Sequence, residues 1–219
     1  ARHQEAANVF ARALVLRPED VDFYSNLGNA LQERNLAERA LFFYGRGMLI
    51  GREHARLITN RGRCLEALGQ IWRGMDAYCR GISLEPMHFE SIYNLGTSEM
   101  REGNFRAAAH YLRRAWFVRP ESELSRWNLS LALLAVGELI SAWPLYDYRF
   151  SAKAVVKQCL SQKSTFLFDQ RDTRCLAWAE QGVGDEVMFG SMLGEFCGYV
   201  GKLLVQLDRR LIPLFKRSL

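Results

Sequence analysis

Residues 94–108 read NLGTSEMREGNFRAA, with Asn94 and Gly96 at the front, Gly103 in the middle and Ala108 at the end. The same types recur in the same register along the chain. Asn26-Leu-Gly, Asn60-Arg-Gly, Asn94-Leu-Gly and Asn128-Leu-Ser begin 34 residues apart. A fixed period of this length marks stacked supersecondary units rather than one mixed core. Numbered from Val21, Ala55, Phe89 and Glu123, the eighth position reads Gly28, Gly62, Gly96 and Ser130, where the two helices of a hairpin must approach closely. The fifteenth reads Asn35, Gly69, Gly103 and Gly137, a turn that wants a residue tolerant of left-handed dihedrals. The twentieth reads Ala40, Gly74, Ala108 and Ala142, again small for helix contact, and aromatics follow near the twenty-fourth at Tyr44, Tyr78, Tyr111 and Tyr146. Pro86 and Pro120 end the second helices of two repeats, and Arg52 takes that place in the first full repeat.

Period and positions together resemble tetratricopeptide repeats over about residues 4–154. The predicted fold is mostly α: a right-handed solenoid of helix hairpins, then a short βαβ segment. Four repeats are expected at 21–54, 55–88, 89–122 and 123–154. Run backwards, the register places Ala6, Phe10, Ala13 and Pro18 in a preceding repeat, so residues 1–20 are expected to be its second helix alone.

In such arrays the first helices line a concave groove that holds a peptide or protein partner. The groove positions are expected to be the second, fifth, sixth, ninth and twelfth of each repeat. They read Asp22, Ser25, Asn26, Asn29 and Gln32, then Arg56, Thr59, Asn60, Arg63 and Glu66. The third repeat offers Glu90, Tyr93, Asn94, Thr97 and Met100, and the fourth Leu124, Trp127, Asn128, Leu131 and Leu134. The groove thus turns from polar to apolar, and an exposed patch of Trp127 with three leucines implies that the last repeat packs against something. The recurring Asn26, Asn60, Asn94 and Asn128 form an amide ladder able to bond a peptide backbone. That ladder resembles the one in the repeat domain of O-linked N-acetylglucosamine transferases, which implies a grip on extended peptide. The alternative is a local bond within the hairpin.

Register fails beyond Ser151. Pro144 is expected in the first turn of a second helix, and Arg149 replaces the small residue due at position twenty-seven. Residues 155–173 read as a connector. Over 174–219, Cys175–Ala179 suits a buried parallel strand and Glu180–Gly184 a loop; Asp185 then heads an apolar helix, and Lys202–Gln206 suits a second strand. Gly182 and Gly184 meet the first two places of a dinucleotide loop, but Val187 fills the third and two acids open the helix.

The stretches GELISAWPLYDYRF, LAWAEQGVGDEVMF and KLLVQLDRRLIPLF resemble bacterial tetratricopeptide proteins that carry a C-terminal, heptosyltransferase-like glycosyltransferase domain of the two-Rossmann (GT-B) kind. The resemblance implies that Asp185, in the pair Gly184-Asp185, is a catalytic candidate as general base, with Gly182 and Gly184 as a ligand loop. An N-cap role explains Asp185 equally well. About 45 residues of that domain are present, so this chain is not expected to turn over alone, and a sugar nucleotide is expected only in a full-length parent.

The formal net charge of the 219 residues is +5, with both signs interspersed and no basic block, which argues against a nucleic-acid partner. Five cysteines and four histidines are scattered without metal-ligand spacing, so neither metal nor cofactor is expected. An odd cysteine count without a framework suits a reducing compartment, and a cytoplasmic location is expected. The longest apolar run, near Leu129–Val136, is far below the ~20 residues that cross a bilayer. Homo-oligomers through the truncated ends are a further expectation. Three functions follow: a peptide-binding scaffold, a glycosyltransferase whose groove presents the acceptor, or a stand-alone adaptor.

Overall fold

The computed structural model describes residues 2–51, 54–152, 170–178 and 183–218. The chain divides into two compact units, residues 1–149 and 150–219. The first is a run of helices, α1 (Arg2–Leu16), α2 (Val21–Gln32), α3 (Ala37–Ile50), α4 (Ala55–Ala67), α5 (Ile71–Leu84), α6 (Phe89–Arg101), α7 (Phe105–Val118), α8 (Glu123–Ala135) and α9 (Leu139–Tyr146), with α10 (Tyr148–Ser151) at its end. Each helix packs on the next, and α2, α4, α6 and α8 also touch in sequence. This nearest-neighbour pattern is that of a solenoid.

Local chemistry explains the period. Asp20, His88 and Ser122 each accept a hydrogen bond from a first-turn backbone N–H and so cap α2, α6 and α8. The first helices end alike. Asn35, Gly69, Gly103 and Gly137 have φ of 58°, 76°, 81° and 81°. The next residue's N–H returns to the carbonyl five positions back, as in Leu36 to Leu31, Gln70 to Leu65, Asn104 to Glu99 and Glu138 to Leu133, at 2.9–3.0 Å. These are four copies of one Schellman turn, which reverses the chain into the second helix.

The core is built at the same register. Ala40, Ala108 and Ala142 are fully buried. A Cβ on Gly28 would lie 2.3 Å from the Tyr44 ring, and one on Gly62 would lie 2.7 Å from that of Tyr78. In the third repeat the partner of Gly96 is Leu112, the true twenty-fourth position, while Tyr111 lies beside it and is only half-buried. Three clusters of buried side chains, around Leu27–Tyr44–Leu57, Met75–Tyr78–Leu95 and Leu112–Leu129–Leu133, succeed one another along the array.

Pro144 departs from expectation. It sits inside α9, in the second turn rather than the first, and α9 stops after eight residues. Its missing N–H leaves the Ile140 carbonyl without the bond that would continue the ladder. Arg149 is buried at the place where Gly47, Gly81 and Ala115 are small to admit the following repeat. A Cβ on Gly81 would lie 2.4 Å from Ser91 Oγ of that following helix. The Arg149 guanidinium instead turns back, donating to Tyr146 O at 3.2 Å and Asp147 Oδ1 at 2.9 Å.

The second unit holds β1 (Gln170–Trp178), α11 (Val183–Gly190), α12 (Leu193–Phe196), β2 (Val200–Gln206) and α13 (Ile212–Ser218). The two strands are parallel, and Arg174–Trp178 pair in register with Lys202–Gln206. Both strands start earlier than the apolar runs suggested, at Gln170 and Val200. The ladder continues past the hydrophobic stretch because backbone pairing does not require apolar side chains. The apolar helix expected after Asp185 is broken at Gly190, and α12 follows a turn. Most of the connector 155–173, Arg52, and residues 179–182, including Gly182 of the expected ligand loop, lie outside the described residues.

Candidate functional site

The first helices α2, α4, α6 and α8 bring the four asparagines to equivalent places, each half-buried. Two are engaged across a repeat boundary. Asn60 Nδ2 donates to Ser25 Oγ at 3.4 Å, and Asn128 Nδ2 donates to the Tyr93 hydroxyl at 2.7 Å. Both bonds run from the sixth position of one repeat to the fifth of the one before. In the second repeat the fifth position is Thr59, whose hydroxyl already bonds Ala55 O at 2.7 Å and Ser91 Oγ at 2.5 Å. Asn26 and Asn94 make no side-chain bond to another described residue.

Two groove assignments need correction. Ser25 and Thr59 are buried between first helices rather than open in the groove. Small hydroxyl residues at the fifth position let adjacent first helices close over them. Tyr93 and Trp127 are too large for that and stay half-buried. Tyr93 stacks on Phe89 at 5.6 Å, and the Trp127 ring meets Tyr146 edge-on at 5.1 Å. Burial raises the Tyr93 pKa, and the Asn128 bond opposes the rise only in part.

Charges on this face are paired, two of the pairs between repeats and the third within one. Arg56 pairs with Asp22, Arg101 with Glu66, and Arg119 with Glu90 at 2.9 Å. Arg119 also lies over the Phe89 ring, 3.8 Å from its centre. Burial raises the Glu90 pKa, but the Arg119 bond and charge outweigh it and hold the carboxyl below its ordinary value. Ser98 Oγ donates to Glu66 as well. Arg63 is exposed and makes no ion pair among the described residues.

Beneath the groove Tyr44 and Tyr78, both at position twenty-four, differ. Tyr44 donates to Asn29 Oδ1 at 2.8 Å. The place of Asn29 in the second repeat is taken by Arg63, which accepts no hydrogen bond, and the buried Tyr78 hydroxyl lies instead beside the Glu66 carboxylate. Burial raises both tyrosine pKa values, and the Glu66 charge adds to the rise at Tyr78. These partners were hidden from sequence reading. Asp22 and Arg56 are opposite charges 34 residues apart, a signal that was there to be used.

An open hollow of about 540 Å³ lies where α2 and α4 begin, lined by Asp20, Asp22, Ser25, His54, Arg56 and Leu57. At the other end of the groove Leu124 is 50% exposed, and Trp127, Leu131 and Leu134 are half-buried. Leu134 packs on the Ala108–Leu129 cluster.

In the second unit Gly184 and Asp185 fall inside α11. Asp185 is therefore a first-turn acid rather than the N-cap, because the helix starts two residues earlier. It makes no side-chain bond to another described residue. Glu186 is the structural acid: its Oε2 accepts from the Asp208 N–H at 2.8 Å and ties α11 to the loop after β2. Asp208 is consumed by Arg210, which donates at 2.9 Å from its backbone N, Nε and Nη2, and that pairing lowers the Asp208 pKa to about 2. Among the described residues no group of three His, Cys, Asp or Glu side chains converges on a metal position. No described helix is long and apolar enough to cross a membrane.

Residues 93–148 match the family model for the tetratricopeptide repeat. A curated relative, Protein FlbA of Caulobacter vibrioides, is 29% identical over 227 residues, covering 97% of this chain. The chain spans 37% of that relative's length. Solved structures similar in fold include MamA (TM-score 0.59, 16% identity, 69% of this chain and 89% of that one) and pilF of Pseudomonas aeruginosa (0.63, 17%, 69% of each). A third is YrrB, described as a TPR protein with an unusual peptide-binding site (0.54, 17%, 70% of this chain and 79% of that one). The helical array is thus a tetratricopeptide-type solenoid in fold.

Proposed function

We propose that the concave face of α2, α4, α6 and α8 holds an extended segment of a protein partner. The observation that carries this reading is the row of half-buried asparagines. The amides of Asn26 and Asn94 have no side-chain partner among the described residues, and Asn60 keeps its Oδ1 and a second N–H beyond the Ser25 bond. An amide offers both donor and acceptor, so a row of them matches the repeat of an extended peptide backbone. YrrB, similar in fold, is described as having a peptide-binding site, which supports the same use here.

The test is selection of random dodecapeptides on the immobilised chain, followed by affinity measurement. Enriched peptides are expected to bind the parent and to weaken roughly tenfold on the double substitution Asn60→Ala and Asn94→Ala, the scale of one or two lost hydrogen bonds. Unchanged affinity in the double variant would remove the ladder from the binding site.

A second reading concerns the parent protein. The order β1–α11–β2 with parallel strands supports a reading of this unit as the opening of a Rossmann-like fold, in which ligands approach the carboxyl ends of the strands. The likeness to FlbA covers 97% of this chain, and so runs through both the array and the second unit. We infer that this unit begins a bacterial glycosyltransferase-like domain, with Asp185 as base toward an acceptor hydroxyl and the groove presenting the acceptor protein. A full-length parent is expected to consume a sugar nucleotide and to lose that activity on Asp185→Asn. Retained turnover in the variant would leave Asp185 without a catalytic role.

A further inference from the structure

The proposed groove is unequal along its length, and its second and fourth repeats ask for different side chains. Around the second repeat, three carboxylates of the face are neutralised by arginines: Asp22 of the first repeat by Arg56, Glu66 of the second by Arg101 and Glu90 of the third by Arg119. Arg63 remains as an exposed cation with no ion pair among the described residues. One carboxylate arriving here would complete the pairing of the face, and guanidinium is the side chain best shaped to receive it.

At the fourth repeat the equivalent positions are apolar. Leu124 is half exposed, and Trp127 and Leu131 stand beside it, with Tyr146 holding the Trp127 ring edge-on. A large apolar side chain laid on this patch would leave water together with the patch itself.

Resting on the peptide-binding reading above, we infer that the groove selects an extended segment carrying an acidic side chain that pairs with Arg63 and a large apolar side chain that sits on Leu124, Trp127 and Leu131. The separation follows from the fold. Helix α4 touches α6, and α6 touches α8. Two interaxial steps of roughly 8–10 Å set the two places about 16–20 Å apart. At roughly 3.3 Å per residue an extended chain covers that in about five or six residues.

The same dodecapeptide selection, run on the full chain at two salt concentrations, tests this. Enriched sequences are expected to carry Asp or Glu about five or six positions from Leu, Phe or Trp, in one or the other chain direction. Selection on Arg63→Glu is expected to replace the acid by Lys or Arg, and the best wild-type peptide to lose roughly tenfold or more in affinity for that variant, the scale of a charge-assisted bond. Arg63→Gln, with unchanged helical circular dichroism, is expected to weaken binding less and to remove most of its salt dependence. Leu124→Ser is expected to weaken binding without changing the salt dependence. Enriched peptides that ignore the charge at position 63, or that lack the large apolar residue, overturn the inference and leave the binding function intact. A selection that yields no peptide dependent on groove residues overturns both.

Discussion

A Cβ built on Gly62 would stand 2.7 Å from the Tyr78 ring and 3.0 Å from the Gly74 carbonyl oxygen. One built on Gly45, in the interior of α3, would meet nothing within 4 Å. The same substitution should therefore have opposite signs at the two places. Gly45→Ala removes backbone freedom from the unfolded chain and is expected to stabilise by up to about 1 kcal/mol. Gly62→Ala gains the same helix propensity but drives a methyl into a ring and a backbone oxygen, an overpacking of about 1–3 kcal/mol. Its expected net effect is a loss of about 1–2 kcal/mol. Urea unfolding of the pair reads both, and equal shifts for the two variants would show that hairpin closure does not depend on the eighth position. Sequence already marked Gly62 by its register. It held nothing to mark Gly45 as free.

At the scale of elements, α9 differs most from its counterparts. Helices α3, α5 and α7 each run 14 residues, while α9 runs eight with Pro144 in its second turn. Proline there removes one ladder bond and crowds the Ile140 carbonyl. Pro144→Ala is expected to join α9 with α10, raising helical circular dichroism and stability by about 1–3 kcal/mol. No gain, or a loss, would show that the break is held by the Arg149–Asp147 and Arg149–Tyr146 contacts instead. Arg149 shows why an array ends where it does. At the twenty-seventh position a small residue admits a following helix, as Gly81 admits Ser91, and an arginine that folds back over Tyr146 fills the place.

The whole chain holds two compact units of different kinds. In the first, every helix leans on its sequence neighbours, so stability is approximately a sum over hairpins and interfaces. Residues 2–149 alone are therefore expected to keep the helical circular dichroism of the array and to unfold at the same urea midpoint as in the full chain. A lower midpoint would show that the second unit stabilises the array. Among its described residues the second unit has two strands and short helices, with Leu176, Trp178, Leu204 and Val205 each exposed by more than a third. A two-stranded sheet of this kind has little core of its own.

The amino-acid sequence by itself determined the period, the hairpin turns and the small residues at the helix crossings. Each of these is set by local backbone dihedrals or by one residue's size, and both recur every 34 residues. It also placed all four asparagines on one face. What only the tertiary structure decided is which groups on that face are already spoken for. Asn128 is held by Tyr93, Ser25 and Thr59 are closed between helices, and three of the carboxylates have found arginines, two of them in the next repeat. Those partnerships depend on the tilt between neighbouring hairpins, which no single repeat encodes. They leave Arg63 of the second repeat without an ion pair among the described residues, and Trp127 with its leucines at the fourth.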